Sequence, residues 1–137
     1  MNKEDGKYYK GKKPNCEYLV GEKLGVEYSK LLREIVLTIL LAKEDKIKMI
    51  TQLNMCLDDM VMLKILSLYE PDKFMAVYSN SVLKNLSQIL NVPDTNNRIE
   101  MNYLLTKEIK TIEPFKEWNI YKISEFVWNM LGKNKDY

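Results

Sequence analysis

Residues 66–91 read LSLYEPDKFMAVYSNSVLKNLSQILN, and this stretch decides the fold. An apolar helix has to end before Pro71, because proline lacks a backbone donor and disfavours helical geometry at the residue before it. A loop with two aromatic residues, Phe74 and Tyr78, follows. A pair of serines then precedes a second leucine-rich run, and serine is a preferred residue at the start of a helix. The stretch therefore predicts a sharp corner between two packed helices.

Apolar residues at helical spacing predict four further helices around this corner. The first covers about residues 28–41, and its wide apolar face predicts a central helix of the bundle. Asn91 and Gly132 suit the C-terminal ends of two helices. The predicted N-caps are Asp45, Asp58 or Asp59, Ser79 or Ser81, the loop 94–97, and Ser124. We expect an all-α fold, a compact bundle of about six helices over residues 16–132, followed by a short tail over 133–137.

The residue types present exclude several kinds of chemistry. The chain has no histidine, which removes Ser-His and Cys-His nucleophile pairs and the commonest metal ligand. Cys16 and Cys56 lie too far apart to form a zinc-site spacing. Asp58 and Asp59 point about 100° apart on a helix, so capping suits them better than a shared acid site. We expect no catalytic residue, no metal, no cofactor, no small-molecule substrate and no enzyme activity.

The hydrophobic runs and the cysteines predict the cellular location of the protein. The longest apolar run, residues 35–42, is far shorter than the ~20 residues that a membrane span needs. The N-terminal residues are polar and offer no apolar region for a secretion signal. Two cysteines in a methionine-rich chain fit a reducing environment. The expected location is therefore cytoplasmic, without membrane contact.

Residues 1–15 form a lysine-rich segment for which we predict a flexible basic arm. Interleaved lysines and tyrosines are also what an arm needs to follow phosphates and stack on bases. The candidate nucleic-acid-binding residues are Lys7, Tyr8, Tyr9, Lys10, Lys12 and Lys13. The segment GKYYKGKK resembles a phosphate-binding loop, but Lys13 replaces the required hydroxyl residue and no apolar strand precedes it. A nucleotide site is therefore rejected.

Two further patterns are open to interpretation. Residues 86–104 contain the parts of a helix-turn-helix, whose recognition face would display Asn96, Arg98 and Asn102. A single cation on that face favours two ordinary packed helices instead. The chain also has many aromatic residues in its second half, and we expect most of them in the core, with Trp128 as the anchor.

The motifs of the second half resemble a known family. KILSLYEPDKF at residues 64–74, Tyr78-Ser79, EMNYLL at 100–105 and the Trp118…ISEFVW tail ending at 128 resemble the helical region before the AAA+ motor of McrBC-type restriction proteins. The resemblance covers about residues 60–130. It implies a recognition, linker or assembly domain of a modification-dependent DNA-cleaving system. The AAA+ motor and any nuclease motif are missing, so the resemblance implies neither nucleotide hydrolysis nor cleavage.

Two functions compete on this basis. The first is a non-enzymatic module of a bacterial restriction or phage-defence system that contacts DNA or docks a defence protein, either an AAA+ motor or a nuclease subunit. The second is a small phage or mobile-element protein that inhibits a host defence complex by protein-protein binding. Neighbouring genes discriminate between them. At the tip of the corner, Asp72 and Lys73 are the candidate partner-binding residues.

A phosphate-tracking arm predicts that affinity for duplex or single-stranded DNA falls steeply as the salt concentration rises, because bound counterions are released. Fluorescence anisotropy with labelled DNA between about 50 and 200 mM salt measures this dependence. Absence of binding at the lowest salt concentration would eliminate the DNA-contacting version of the function.

Overall fold

The protein is described here by a computed structural model. The structure describes residues 2–4, 7–10, 17–53 and 56–132, and of residues 2–19 it describes the backbone alone. The helices are α1 (Gly21–Lys43), α2 (Ile47–Gln52), α3 (Asp59–Tyr69), α4 (Asn80–Leu90), α5 (Arg98–Ile109) and α6 (Ile120–Val127). A 3₁₀ turn, Phe115–Glu117, precedes α6, and a π-helical turn, Trp128–Gly132, follows it. The predicted all-α bundle of six helices is confirmed.

Three short strands precede the helices. β1 (Asn2–Glu4), β2 (Lys7–Lys10) and β3 (Glu17–Leu19) pair antiparallel in the order β1-β2-β3. Tyr9 lies opposite Asn2 on one side and opposite Tyr18 on the other. β1 and β2 fall within the segment that was predicted to be a flexible arm. The overlooked signal is Asp5-Gly6, because Asp-Gly between two short runs is typical of a two-residue hairpin connection.

Residues 70–79, here called the corner segment, connect α3 to α4 without regular structure. α3 ends at Tyr69, as Pro71 predicts. Phe74, Met75 and Val77 are almost completely buried. Because buried backbone groups need hydrogen-bond partners, a segment outside helix and strand has to find them on side chains.

The Asn102 side chain on α5 supplies most of these partners. Its Nδ2 donates to the carbonyl oxygens of Met75 at 3.0 Å and Val77 at 2.8 Å, and its Oδ1 accepts from the Met75 N–H at 2.8 Å. Asn102 itself is completely buried. One amide group therefore satisfies three backbone groups of the corner segment.

Two hydroxyl groups complete this network. The Thr106 Oγ1 also accepts from the Met75 N–H, at 3.2 Å, and donates to the Asn102 carbonyl at 2.7 Å. The Ser124 Oγ accepts from the Ala76 N–H at 2.9 Å and donates to the Ile120 carbonyl at 2.7 Å. The corner segment is thus tied to both α5 and α6.

The corner segment also separates two hydrophobic clusters. Phe74 packs in a cluster with the end of α1, α2, α3 and Ile99. Its neighbour Met75 packs in a second cluster formed by α4, α5 and α6. Adjacent residues therefore enter different parts of the core. In this way the short corner segment connects the two hydrophobic clusters.

Several predicted helix ends are confirmed. The Asp58 carboxylate accepts from the Met60 N–H at 3.2 Å at the start of α3, and the Asn97 side chain accepts from the Glu100 N–H at 3.0 Å at the start of α5. Asn91 has the left-handed conformation after α4, with φ 56°. Ser79 precedes α4 as predicted, although its hydroxyl bonds to Ser81 and not to the helix backbone.

The prediction for Ser124 was wrong. α6 begins four residues earlier, at Ile120, and the Asn119 side chain caps it by accepting from the Lys122 N–H at 2.9 Å. Ser124 is buried inside the helix, where it serves the corner segment. An asparagine and a serine have similar capping preferences, so the sequence did not distinguish them.

The predicted central position of α1 was also wrong. α1 begins seven residues earlier than expected, and its buried side chains, Thr38, Leu41 and Ala42, lie near its C-terminal end. Five of its aliphatic residues are exposed: Val26, Leu32, Val36, Leu37 and Leu40. An apolar face predicts burial but does not say which element provides the cover.

Trp128 is not the core anchor that was predicted. Its side chain is 39% exposed, and its ring occupies the space where a side chain at position 132 would lie, which suits Gly132. Phe74 is the largest of the fully buried side chains in the described residues. Its ring lies 5.9 Å from that of Tyr103. The aromatic anchor of the core is therefore in the corner segment.

Asn102→Ala should lower the free energy of unfolding by about 2–6 kcal/mol, because it leaves two buried carbonyl groups without donors at about 1–3 kcal/mol each. Urea denaturation measures the loss. Asn85→Ala, at an exposed position of α4, serves as the control and should change stability by less than about 0.5 kcal/mol. Equal losses in the two variants would contradict the role given to Asn102.

Phe74→Ala should cost about 3–5 kcal/mol, the range for a buried aromatic residue. Trp128→Ala should cost clearly less, because part of that ring is already exposed to water. Both variants are compared with the parent chain by chemical denaturation. A larger loss for Trp128→Ala would show that the core is anchored at the C-terminal end instead.

Candidate partner-binding site

The tip of the corner segment borders an open cavity of about 300 Å³. Asp72 and Lys73, the two predicted partner-binding residues, both line it. The remaining lining residues come from the end of α1 and from one face of α5: Asp45, Tyr103, Lys107 and Lys110. The two predicted residues are therefore brought together with charged and aromatic groups.

The ammonium group of Lys73 binds other groups of the same chain. Nζ donates to the carbonyl oxygens of Ala42 at 2.9 Å and Lys43 at 2.7 Å, and it lies 3.0 Å from Oδ1 of Asp45. The last carbonyls of a helix lack partners and carry partial negative charge. Lys73 thus caps α1, and these three partners match the three donors of its ammonium group.

Asp45 is the second half of this cap. It has φ 60° in the left-handed region, its N–H donates to Ala42 at 3.1 Å, and the next N–H donates to Leu41 at 2.9 Å. This pair of bonds is a Schellman motif, which ends a helix. The prediction that Asp45 starts α2 was therefore wrong: it terminates α1, because aspartate tolerates the left-handed conformation.

Two hydrogen bonds hold the Asp45 carboxylate. The bond from Lys73 and then the bond from the Tyr103 hydroxyl, at 3.0 Å, keep the Asp45 pKa below its ordinary value of 3.8. Partial burial, followed by the bond to Asp45, raises the Tyr103 pKa above 10.0. The ion pair therefore favours the charged carboxylate and joins α1, the corner segment and α5.

The Asp72 side chain is more exposed than that of its neighbour Lys73. The Asp72 backbone carbonyl accepts from Lys110 Nζ at 3.0 Å, while its carboxylate lies 3.9 Å from that ammonium group. The side chain is 94% exposed. Of the two predicted partner-binding residues, Asp72 is thus the one whose side chain stays accessible at the tip.

An aromatic cluster that the sequence did not reveal lies at the start and along one side of α6. The rings of Phe115, Trp118 and Phe126 have centroid separations of 5.0, 5.2 and 5.7 Å. Lys122 Nζ lies 4.2 Å from the centroid of Trp118. Phe126 is exposed and the other two rings are half-buried against the core. The sequence offered one indication of this cluster: Lys122 and Phe126 are four residues apart, which places them on the same face of a helix.

The candidate nucleic-acid-binding residues remain untested. Lys7, Tyr8, Tyr9 and Lys10 form β2, of which the structure describes the backbone. Lys12 and Lys13 lie outside the described residues. The DNA-contacting role of this segment therefore stays a prediction.

The helix-turn-helix interpretation is contradicted. Asn102, which had to display its side chain to DNA, is completely buried and bonded to the corner segment. Arg98, the single cation of the proposed face, donates through Nε to Oδ1 of Asn80 at 3.1 Å. α4 and α5 are two packed helices without that recognition face.

The described residues offer neither a metal-binding group nor a membrane-spanning helix. Residues 20–53 and 56–132 contain no group of three or more histidine, cysteine or acidic side chains placed to hold a metal ion. None of the described helices is long and apolar enough to cross a membrane.

Comparison with protein-family models, with curated proteins and with solved structures finds no match to this chain. Functional proposals therefore have to rest on the residues and surfaces described above and on the resemblance of the motifs at residues 60–130.

Asp45→Asn should reduce stability at neutral pH and lose this effect in acid. Because the pKa of Asp45 is lowered by folding, its contribution is present above the ordinary value of 3.8 and disappears as the pH falls through the lowered value. Urea denaturation of both proteins between about pH 2 and pH 7 measures the difference.

Glu125→Gln is the matched control, since Glu125 is exposed and the described residues give it no ion pair. Its stability should follow the parent at every pH. In a Lys73→Met background the effect of Asp45→Asn should shrink strongly. An undiminished effect there would show that Lys73 does not hold the carboxylate.

Proposed function

We propose that the chain is a non-enzymatic, partner-docking module of a bacterial restriction or phage-defence system. The observation that carries this proposal is the aromatic cluster of Phe115, Trp118 and Phe126 with Lys122 beside it. The cluster lies at the edge of the core, where a protein partner can reach it.

The physical properties of the cluster suit a protein interface. Aromatic residues are enriched in the centres of interfaces, because they bury large area at a small cost in side-chain entropy. The rings of Trp118 and Phe115 are held edge to face against each other and packed on the core, so they are ordered before a partner arrives. Lys122 adds a positive charge at the rim of the same surface.

The family resemblance supports the class of partner. In McrBC-type proteins the similar helical region is found before the AAA+ motor, so a surface of this region can meet a motor. The proposed partner is the AAA+ motor of such a system or, in the same complex, its nuclease subunit.

The corner segment has a supporting role in this proposal. Lys73 orients α1, and the exposed Asp72 carboxylate offers an acidic contact at the tip. Contact of the basic N-terminal segment with DNA remains a separate part of the proposed function, and its salt dependence tests it independently.

Phe126→Ala should weaken binding to the AAA+ or nuclease subunit of the proposed system by at least about tenfold, because a central aromatic residue typically contributes 2 kcal/mol or more. Isothermal titration calorimetry with the purified subunit measures the affinity. Phe126 is only partly buried, and circular dichroism verifies that the variant is folded.

Tyr121→Ala is the matched control. Tyr121 is an exposed aromatic residue of the same helix, about 140° around the helix axis from Phe126. Its replacement should leave the affinity within about twofold. Equal losses for both variants, or no binding of either subunit by the parent chain, would overturn the proposal.

A further inference from the structure

The exposed side of α1 is a second apolar surface. It consists of Val26, Leu32, Val36, Leu37 and Leu40, here called the α1 face. Their exposed fractions run from 43% to 65%. At 100° per residue they lie within about 140° of one another around the helix. Exposed leucines and valines concentrated on one helix side are uncommon on an isolated monomer and mark an interaction surface.

The size of the α1 face indicates the kind of complex it can form. A helix of 23 residues is about 35 Å long and about 10 Å wide. Two such strips in contact correspond to the small interfaces below about 1,200 Å² that are typical of weak association. The α1 face therefore fits a single helix of similar length as its occupant.

The charges at the two ends of α1 select the direction of that helix. Glu22 is the acidic residue of the first turn and Lys43 the basic residue of the last turn. Both side chains are exposed. A second α1 running antiparallel places each Glu22 beside the Lys43 of the other copy, whereas a parallel arrangement brings like charges together.

We propose that the α1 face binds the α1 face of a second copy of this chain, antiparallel and across a two-fold axis. In such a contact the same surface is used by both copies, so an apolar strip is complementary to itself. Pairing of Glu22 with Lys43 of the other copy puts the two-fold axis beside residues 32 and 33, so Leu32 meets its counterpart there. Arg33 is exposed and lies within the α1 face, where its aliphatic stem can pack on the other copy while its guanidinium stays in water.

The dimer goes beyond the proposed docking function and uses a different surface. The aromatic cluster lies on α6 and the 3₁₀ turn, whereas the α1 face lies on α1 alone. A dimer would present two copies of the aromatic cluster, so that partner binding becomes bivalent.

Sedimentation velocity of the full chain between about 1 µM and 1 mM tests the proposal, a range that covers weak association. The expected result is a concentration-dependent shift from monomer to dimer. Leu32→Lys should remove the dimer within this range, because it places two like charges at the centre of the interface, beside the Arg33 side chains of both copies. A monomer at all concentrations in the parent chain would overturn the proposal.

Leu68→Lys is the matched control, because Leu68 is an exposed leucine on α3, away from the α1 face. It should dimerise like the parent chain. Loss of the dimer in this variant as well would place the contact elsewhere and overturn the proposal. Circular dichroism of both variants establishes that they remain helical, since each charge enters an exposed position.

A charge swap tests the antiparallel direction. Glu22→Lys alone should weaken the dimer by about threefold to tenfold, since it places two lysines opposite each other. The double variant Glu22→Lys with Lys43→Glu should restore it. Failure of the second change to restore the dimer would overturn the antiparallel arrangement. Binding of the AAA+ or nuclease subunit is measured separately, so failure of the dimer leaves the docking function intact.

Discussion

The fold depends on the hydrogen bonds between the Asn102 amide and the backbone of Met75 and Val77. The corner segment passes through the core without forming helix or strand, so its backbone groups would otherwise be buried without partners. A single amide has both donors and an acceptor, and it can serve several of these groups at once. With them satisfied, Phe74 and Met75 can enter two different hydrophobic clusters. The two halves of the bundle are thereby joined by one short segment.

The corner segment also holds the end of α1, through the charged residue Lys73 at the tip of the segment. Lys73 reaches back to the last carbonyl groups of α1 and to Asp45, and Tyr103 holds that carboxylate from α5. This arrangement fastens α1 at its C-terminal end, where its buried residues lie. The apolar side of α1 remains exposed.

Two surfaces stand out in the described residues: the aromatic cluster around Trp118 and the α1 face. They lie on different helices, so one can bind a partner while the other joins two copies. Such an arrangement is suited to assembling a multi-subunit complex, which agrees with the motor-associated region that the motifs resemble.

The sequence by itself determined the features that depend on neighbouring residues: the number of helices, the end of α3 before Pro71, a cap at Asp58 or Asp59, a cap within the loop 94–97, and the helix end at Asn91. These follow from local rules of backbone geometry and capping. Only the tertiary structure decided that Asn102 is buried, that Lys73 caps α1, and that Phe126 and the α1 face are exposed. Periodicity shows that a helix has an apolar face and composition shows that a residue is polar. Which other element covers that face, or accepts that hydrogen bond, depends on contacts between residues far apart in the chain.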